Sequence, residues 1–272
     1  MFLLLDIGGT KTRIAISHKG DKINATKIIS TAQNFKETIT NIYECAKELA
    51  NGKKITSAVI GAPGPHNRQK TKITGAPNLP EWHNQPLKKE LEHILETTVR
   101  IENDADLAGL GEAVFGAGQK HNIVAYLTIS TGVGGTRIIN QQLDQGIYSF
   151  EPGHQIITIN NPNKQLTLEN CVSGAGLEKL YGKPAEEITD PDVWKKTAQL
   201  LAIGLHNVTV HWSPHCIILG GSITKSLPFD ILQTHFQQIS STFSELPVIK
   251  LSDLDDKAGL YGALAYLNNK QN

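Results

Sequence analysis

A carboxylate and a pair of glycines interrupt the apolar start of this chain. Residues 3–16 read LLLDIGGTKTRIAI, so an aspartate closes one apolar stretch and a glycine turn precedes the next. Backbone N–H groups in such a turn can form an anion site, and a neighbouring carboxylate can hold a metal ion directly or through water. An ordinary tight hairpin with a capping aspartate explains this stretch equally well. The candidate residues are Asp6, Gly8, Gly9, Thr10 and Lys11.

Two later stretches also combine an apolar segment with glycines. The segment 122–129 runs into STGVGGT at 130–136, and the segment 216–219 ends in a pair of glycines. Each is explained by a flexible turn when it is considered alone. Two glycine loops at matching places in two α/β lobes can hold a polyphosphate from both sides, and ligands of α/β proteins bind beyond the carboxyl ends of strands. The candidate residues are Thr131, Gly132, Gly134, Gly135, Gly220 and Gly221.

Two groups of polar residues have side chains suited to proton transfer or to binding hydroxyl groups. Asn103 and Asp104 lie between a predicted strand and a predicted helix. Asp104 fits an N-cap, a role worth about 1 kcal/mol, or a base that accepts a hydroxyl proton during phosphoryl transfer. Glu151, His154 and Glu169 together can accept from and donate to sugar hydroxyls. Taken alone, this second group is better explained as surface loop residues.

Hydrophobic periodicity predicts the elements that must position these residues. Strands are predicted over 3–6, 13–17, 57–60, 98–101, 122–129, 136–139 and 216–219. Helices are predicted over 35–50, 87–95, 104–117, 191–211 and 257–268, and around 174–181. The stretch GGTKTRIAI at 8–16 is echoed by GGTRIIN at 134–140, about 125 residues later, which indicates a duplicated domain. The prediction is an α/β fold of two lobes that face each other across a cleft.

Composition argues against several classes of function. The 272 residues contain 26 basic and 26 acidic side chains, which gives no general electrostatic case for binding nucleic acid or an anionic membrane. The start MFLLLD is too short for a signal-peptide core, and no apolar run approaches the roughly 18 residues of a membrane span. Three scattered cysteines fit reduced thiols rather than a disulfide framework. We therefore expect a cytoplasmic protein.

Eight short motifs occur in an order that resembles the sugar kinases of the ROK family and the related bacterial glucokinases. They are DIGGTK, GAPGP, APNLPEW, ENDAD, STGVGG, EPGH, LENCVSGAGL and ILGGS. The resemblance covers nearly the whole chain and implies a two-lobed, actin-like (ribonuclease H-like) fold with a sugar and Mg-ATP in the interlobe cleft. It implies a first lobe over 1–103, a second over 104–256, and a final helix at about 257–272 that packs back on the first lobe.

The resemblance also implies roles for individual residues. Asp104 corresponds to the family's catalytic base, and Asp6 would orient Mg²⁺ through water. The sugar pocket would be lined by Gly64, Asn78, Asn103, Asp104, Glu151, His154 and Glu169. The phosphates of ATP would lie on Gly8, Gly9, Thr10, Lys11, Thr131, Gly132, Gly134 and Gly135, and its adenosine on Gly220 and Gly221.

One departure from the family pattern concerns zinc. ROK proteins usually hold zinc with the histidine of the EPGH-like motif and three cysteines in a CxCGxxGC stretch. Here residues 160–167 read NNPNKQLT, and Cys171 lies beyond Glu169 at the wrong spacing. One histidine cannot complete a tetrahedral site, so we expect no structural zinc and a His154 that serves the sugar alone. Phe150 also stands where the family usually has glycine, which would change the shape of the pocket.

Several alternatives stay open at this stage. The acceptor best matched by the motifs is glucose at its 6-hydroxyl, and an N-acetylhexosamine or fructose is the alternative. Polyphosphate could replace ATP as the phosphoryl donor. The resemblance also implies a possible homodimer, because similar proteins are commonly dimers. A non-catalytic sugar sensor is a rival of another class. A sugar-responsive repressor is not expected, because those proteins carry a winged-helix domain ahead of the kinase-like part and this sequence starts at the first strand.

Overall fold

The computed structural model describes residues 1–75, 79–146, 149–161 and 164–269. The chain divides into two compact units. Unit one consists of Met1–Phe115, Gln145–Ser149 and Asp256–Asn272, and unit two of Gly116–Asp144 and Phe150–Asp255. Each unit contains its own five-stranded sheet. None of the helices in the described ranges is long and apolar enough to cross a lipid bilayer.

The sheet of unit one combines an antiparallel meander with a set of parallel strands. Its strands are β1 (Phe2–Ile7), β2 (Lys11–Ser17), β3 (Ala25–Ser30), β4 (Ser57–Ala62) and β5 (Thr98–Asn103). They lie in the order β3-β2-β1-β4-β5, with antiparallel pairing from β1 through β3 and parallel pairing from β1 through β5. The predicted hairpin around the first glycine turn is confirmed by this pairing. The carboxyl ends of three parallel strands therefore meet at one edge.

Helices cover both faces of this sheet. Leu3, Leu5 and Ile7 of β1 share a buried apolar cluster with α1 (Phe35–Ala50) and α2 (Leu87–Leu95). Successive side chains of a strand point to opposite faces, so the remaining face is left for α3 (Asp104–Phe115) and α8 (Ala258–Asn269). The apolar periodicity at 35–50 and 87–95 predicts both bounds of α1 and α2 correctly.

Unit two repeats the same topology. Its sheet contains β6 (Ile123–Ile129), β7 (Val133–Ile139), β8 (Gln142–Leu143), β11 (Cys216–Gly220) and β12 (Val248–Leu251), in the order β12-β11-β6-β7-β8. Pairing is antiparallel from β6 through β8 and parallel from β6 through β12. Each strand of this sheet thus has a counterpart in unit one, which confirms the duplication predicted from the repeated glycine motif.

The connections of unit two supply helices and a small hairpin. They are β9 (Ile156–Asn161), β10 (Lys164–Thr167), α4 (Leu168–Val172), α5 (Gly174–Tyr181), α6 (Pro191–Trp212) and α7 (Phe229–Ile239). Leu168, Leu201 and Leu205 lie in one buried cluster with Leu127 and Leu219 of the sheet. The core of unit two is therefore built between its sheet and these helices.

Close packing of α3 against α8 decides where unit one ends. A Cβ on Gly262 would lie 1.7 Å from the carbonyl oxygen of Leu107, and one on Gly111 would lie 2.3 Å from that of Ala258. The two helix backbones approach this closely because glycine occupies the contact. The division from unit two consequently falls after Phe115, whereas the sequence predicts a boundary between residues 103 and 104.

The substitution Gly262→Ala tests this contact. The added methyl group would meet backbone that cannot move independently, so we expect a loss of about 3 kcal/mol or more in the free energy of unfolding. The matched control is Gly204→Ala in α6, where the Cβ would meet the flexible end of the Leu168 side chain. Urea denaturation of both variants should show the larger loss for Gly262→Ala, and an equal loss would contradict the packing.

Candidate active site

Two carboxyl groups lie at the carboxyl edge of the parallel strands of unit one. Asp6 of β1 is in register with Gly61 of β4, and Ala62 of β4 is in register with the last residue of β5. A Cβ on Gly61 would lie 3.7 Å from Asp6 Oδ1 and 3.5 Å from Asp104 Cα. Glycine at this position therefore leaves no side chain between the two acidic residues.

Asp104 is the first residue of α3, and its neighbour caps the helix. The Asn103 side-chain oxygen accepts hydrogen bonds from the backbone N–H of Ala105 at 2.8 Å and of Asp106 at 3.3 Å. Asp104 Oδ1 shares the Ala105 N–H at 2.8 Å. Because Asn103 satisfies the donors of the first turn, the fold does not need Asp104 as its N-cap. The alternative explanation of Asp104 as an N-cap is thus not required.

Burial makes the Asp104 carboxyl a weak acid. Desolvation and then the nearby Asp6 charge raise the pKa of Asp104 to about 7, against the smaller opposing effect of the Ala105 N–H. A carboxyl group with this pKa is about half ionised at neutral pH. It can therefore accept a proton there, which is the property that a general base requires.

Asp6 is held by a basic partner that sequence analysis missed. Arg13 lies directly opposite Asp6 across the β1–β2 hairpin, with Nη1 at 3.6 Å from Asp6 Oδ2. Its Nη2 donates to Asp256 Oδ2 at 2.6 Å. Burial raises the pKa of Asp6 to about 6, Arg13 opposes this rise, and Asp256 adds to it. The register of the hairpin is the signal that would have identified Arg13.

The start of α8 also approaches Asp6. A Cβ on Gly259 would lie 2.6 Å from Asp6 Cγ, so only glycine leaves room for the carboxylate at this point. The sequence analysis did not predict this contact between α8 and Asp6. Asp6 is therefore bounded by backbone as well as by Arg13.

The first glycine turn joins β1 to β2. The Gly8 N–H donates to the Lys11 carbonyl at 2.9 Å, and the Thr31 N–H donates to the Thr10 carbonyl at 2.9 Å. Gly8, Gly9 and Thr10 form the turn itself, and Lys11 is the first residue of β2. The Thr10 and Lys11 side chains are exposed. The turn thus presents two glycines, a hydroxyl and an ammonium group beyond the end of β1.

Asn103 also contacts the GAPGP loop. Its Nδ2 donates to the Gly64 carbonyl at 3.3 Å, and Gly64 has a φ of 83°, which favours glycine. The structure therefore brings Gly64, Asn103 and Asp104 together in unit one. The predicted pocket residue Asn78 lies outside the described residues.

The second glycine turn, in unit two, is shorter than its motif. Thr131 and Gly132 lie in the turn between β6 and β7, whereas Gly134 and Gly135 lie within β7. A Cβ on Gly135 would lie 2.8 Å from Pro152 Cγ, and one on Gly153 would lie 2.3 Å from the Val133 carbonyl. Gly135 and Gly153 thus let the EPGH turn pack directly on β7.

The EPGH turn begins with Glu151 and ends with His154, and both side chains are exposed. The Leu168 N–H donates to the Gln155 carbonyl at 2.9 Å and joins this segment to α4, which carries Glu169. The Glu169 side chain is half buried, and its Oε2 accepts from the Val133 N–H at 2.8 Å. The structure therefore links all three predicted hydroxyl ligands of unit two to β7.

The third glycine pair lies beside the second turn. Gly220 ends β11, and Gly221 has a φ of 92°. A Cβ on Gly221 would lie 2.2 Å from the Ile129 carbonyl, and Ile129 immediately precedes the second turn. Gly220 and Gly221 are thus brought to the same edge of the unit-two sheet as Thr131 and Gly132.

The described residues offer few side-chain ligands for a metal ion. Within 1–75, 79–146, 149–161 and 164–269, no three His, Cys, Asp or Glu side chains are grouped closely enough to hold one. Mg²⁺ needs only one or two carboxylates when phosphates and water supply its other ligands. Asp6 fits that requirement as a single carboxylate near the end of β1, beside the first glycine turn.

Comparison with known proteins identifies the relatives of this chain. The model of the ROK family matches residues 3–270. A glucokinase from Thermotoga maritima is 31% identical, with 98% of this chain and 96% of that protein covered. An N-acetyl-D-glucosamine kinase from Haemophilus influenzae is 27% identical, with 99% of this chain and 100% of that protein covered.

Solved structures agree with these sequence relatives. A ROK hexokinase from Thermus thermophilus has a TM-score of 0.86 at 26% identity and covers 100% of this chain and 99% of its own. A ROK family glucokinase from Streptomyces griseus, solved in complex with glucose and AMPPNP, has a TM-score of 0.80 at 25% identity, with coverage of 97% and 98%. The predicted two-lobed, actin-like α/β fold is confirmed.

The raised pKa of Asp104 predicts how stability depends on pH. The folded state binds this proton more tightly than the unfolded chain, whose carboxyl has the usual pKa of 3.8, so the free energy of unfolding falls as pH rises from about 4 to about 7. Asp104→Asn removes the buried charge and should stabilise the protein at pH 8 by about 1–2 kcal/mol.

Urea denaturation at pH 5 and pH 8 measures this effect. The stabilisation produced by Asp104→Asn should be smaller at pH 5 than at pH 8. Asp230→Asn removes an exposed carboxylate from α7 and controls for the change in net charge. A destabilised Asp104→Asn variant at pH 8 would contradict the assignment of a buried, weakly acidic carboxyl.

Proposed function

This chain belongs to the ROK family and is a sugar kinase, and on that premise we propose that it transfers the γ-phosphoryl group of ATP to glucose at the 6-hydroxyl. The observation that carries the proposal is Asp104, whose pKa of about 7 lies at the value that suits a base near neutral pH. The glucokinase relative, at 31% identity, supports glucose as the acceptor.

Asp104 would act on the reacting hydroxyl group. As the sugar oxygen attacks the γ-phosphorus, its proton passes to the Asp104 carboxylate, a new O–P bond forms, and the bond to the bridging oxygen of ADP breaks. Asn103 holds the start of α3 and the Gly64 loop together, so it would fix the position of this carboxylate. The base and part of the sugar-binding backbone are thereby positioned by one side chain.

The glycine turns would bind ATP. The turn of Gly8, Gly9 and Thr10 supplies backbone and hydroxyl donors to phosphate oxygens, and Lys11 adds a positive charge. Thr131 and Gly132 would contact phosphate in unit two, and Gly220 and Gly221 would contact the adenosine. Asp6 would hold Mg²⁺ through water, and the ion would neutralise charge on the phosphates. Arg13 favours the ionised form of Asp6 that this role needs.

Glu151, His154 and Glu169 would bind the remaining sugar hydroxyls. Their carboxylates accept hydrogen bonds and the imidazole can also donate one, which suits vicinal hydroxyl groups. The ring of Phe150 packs on Trp212 of α6, with 4.8 Å between the ring centroids. Phe150, which departs from the family pattern and directly precedes Glu151, is thus packed against a helix of unit two.

N-acetylglucosamine is the second candidate acceptor. It is supported by the N-acetyl-D-glucosamine kinase that is 27% identical over 99% of this chain. The two acceptors differ at carbon 2, where an acetamido group replaces a hydroxyl. A comparison of kcat/KM for the two sugars separates them, because a site built to bond one substituent discriminates strongly against the other.

Asp104→Asn tests the mechanism. An ADP-release assay with Mg-ATP and a panel of hexoses and N-acetylhexosamines should show turnover of glucose, reduced by about 10²- to 10⁴-fold in the variant because the base is lost. Asp230→Asn serves as the control for charge. Calorimetric glucose binding should persist in Asp104→Asn.

Equal turnover in Asp104→Asn and the native protein would overturn the role of Asp104. Glucose binding without turnover in the native protein, with either ATP or polyphosphate, would instead favour a sugar sensor.

A further inference from the structure

We infer that Glu169 is a bridging residue whose carboxylate joins the sugar to the second glycine turn, so that sugar and nucleotide strengthen each other's binding. The inference rests on the proposed function, which makes Glu169 a sugar ligand and the turn a phosphate ligand. It adds a direct physical connection between those two roles.

The connection is a hydrogen bond from the turn to the carboxylate. The Val133 N–H, immediately after the turn, donates to Glu169 Oε2 at 2.8 Å. A Cβ on Gly132 would lie 2.7 Å from the same oxygen, so the carboxylate occupies the space that any other residue at 132 would need. The conformation of the turn and the position of the carboxylate therefore depend on each other.

Residues that follow Glu169 hold the other side of the turn. The Gly174 N–H donates to the Ser130 carbonyl at 2.7 Å, and the Ala175 N–H donates to the Thr131 carbonyl at 3.1 Å. One short segment, 169–175, thus makes three hydrogen bonds to the turn and its first flanking residue. The turn is shaped by this segment as well as by its own glycines.

The Glu169 side chain extends from a rigid base. The Thr167 side chain accepts from the Asn170 N–H, and the Asn170 side chain accepts from the Thr167 N–H, both at 3.3 Å. The Glu169 carbonyl accepts from the Ser173 N–H at 3.1 Å, and a Cβ on Gly176 would lie 2.5 Å from this carbonyl. The backbone at Glu169 is consequently fixed, and only the carboxylate is left to respond to ligands.

The second carboxylate oxygen remains for the sugar. Across the described residues, no hydrogen bond is formed by Glu169 Oε1. A sugar hydroxyl that donates to Oε1 would hold the carboxylate in place for the Val133 N–H, and so order the turn for phosphate. Linkage makes the effect reciprocal, and typical couplings between ligands amount to about 5- to 150-fold in affinity.

Glu169→Leu tests the bridge without any need for catalysis. Calorimetry should show that glucose tightens Mg-AMPPNP binding to the native protein by about fivefold or more. In Glu169→Leu the dissociation constant of Mg-AMPPNP should rise even without sugar, and glucose should no longer change it. Glu178→Gln removes an exposed carboxylate from α5 and should leave both values unchanged.

Hydrogen exchange at the Val133 amide gives a second readout. Loss of its acceptor in Glu169→Leu should speed exchange there, whereas Glu169→Gln retains an acceptor oxygen and should restore protection. Gly132→Ala tests the same contact from the side of the turn. The new methyl group would displace Glu169 Oε2, so this variant should bind glucose more weakly.

These results separate the bridge from the proposed function. Unchanged Val133 exchange and unchanged sugar-free nucleotide affinity in Glu169→Leu would overturn the bridge even if the protein phosphorylates glucose. A native protein that phosphorylates no sugar would overturn the function, and the Val133 exchange rates would still report on the hydrogen bond.

Discussion

The burial of two carboxyl groups at one sheet edge is the constraint on which unit one depends. Asp6 and Asp104 lie at the carboxyl ends of parallel strands, and burial disfavours the charged form of each. The surrounding fold leaves room for the two carboxyl groups and partly offsets the cost of burying their charge. Gly61 and Gly259 bring backbone close to the acidic residues, and Arg13 supplies a positive charge. A site that destabilises the folded state in this way is typical of function rather than of packing.

Unit two has the same topology with different polar side chains at the edge of its sheet. Its sheet carries a glycine turn and a glycine pair at one edge, but the acidic residue beside that turn comes from the helix α4. Glu169 contacts the turn through Val133, whereas Asp6 meets Arg13 of its own hairpin. Duplication thus supplied two similar frames, which differ in the side chains placed beside the glycine turn.

Local sequence signals predicted the regular elements well and the contacts between them poorly. The helix α1 follows from apolar spacing and ends at Ala50, where Asn51 forms the C-cap with a left-handed φ of 44°. The β9–β10 hairpin and the edge strand β12 were missed, because short strands depend on pairing partners that a local pattern does not contain. Gly134 and Gly135 were assigned to a loop, although both pair with β6 as part of β7.

The predicted site residues were named from motifs, and their physical behaviour came only from the fold. Nothing local to ENDAD indicates that burial and the charge of Asp6 raise the pKa of Asp104. Nothing local to LENCV indicates that Glu169 accepts a hydrogen bond from Val133, 36 residues earlier in the chain. Such properties depend on which segments meet, so they become visible only when the strand register and the helix packing are known.

An NMR titration of ¹³C-labelled aspartate carboxyl groups in the native protein and in Asp104→Asn would measure the pKa values of both buried carboxyl groups. Two carboxyl carbons should titrate at about pH 6 and about pH 7, and the second should disappear in the variant. A native protein in which every aspartate titrates near pH 4 would contradict the claim that burial holds Asp104 ready to accept a proton at neutral pH.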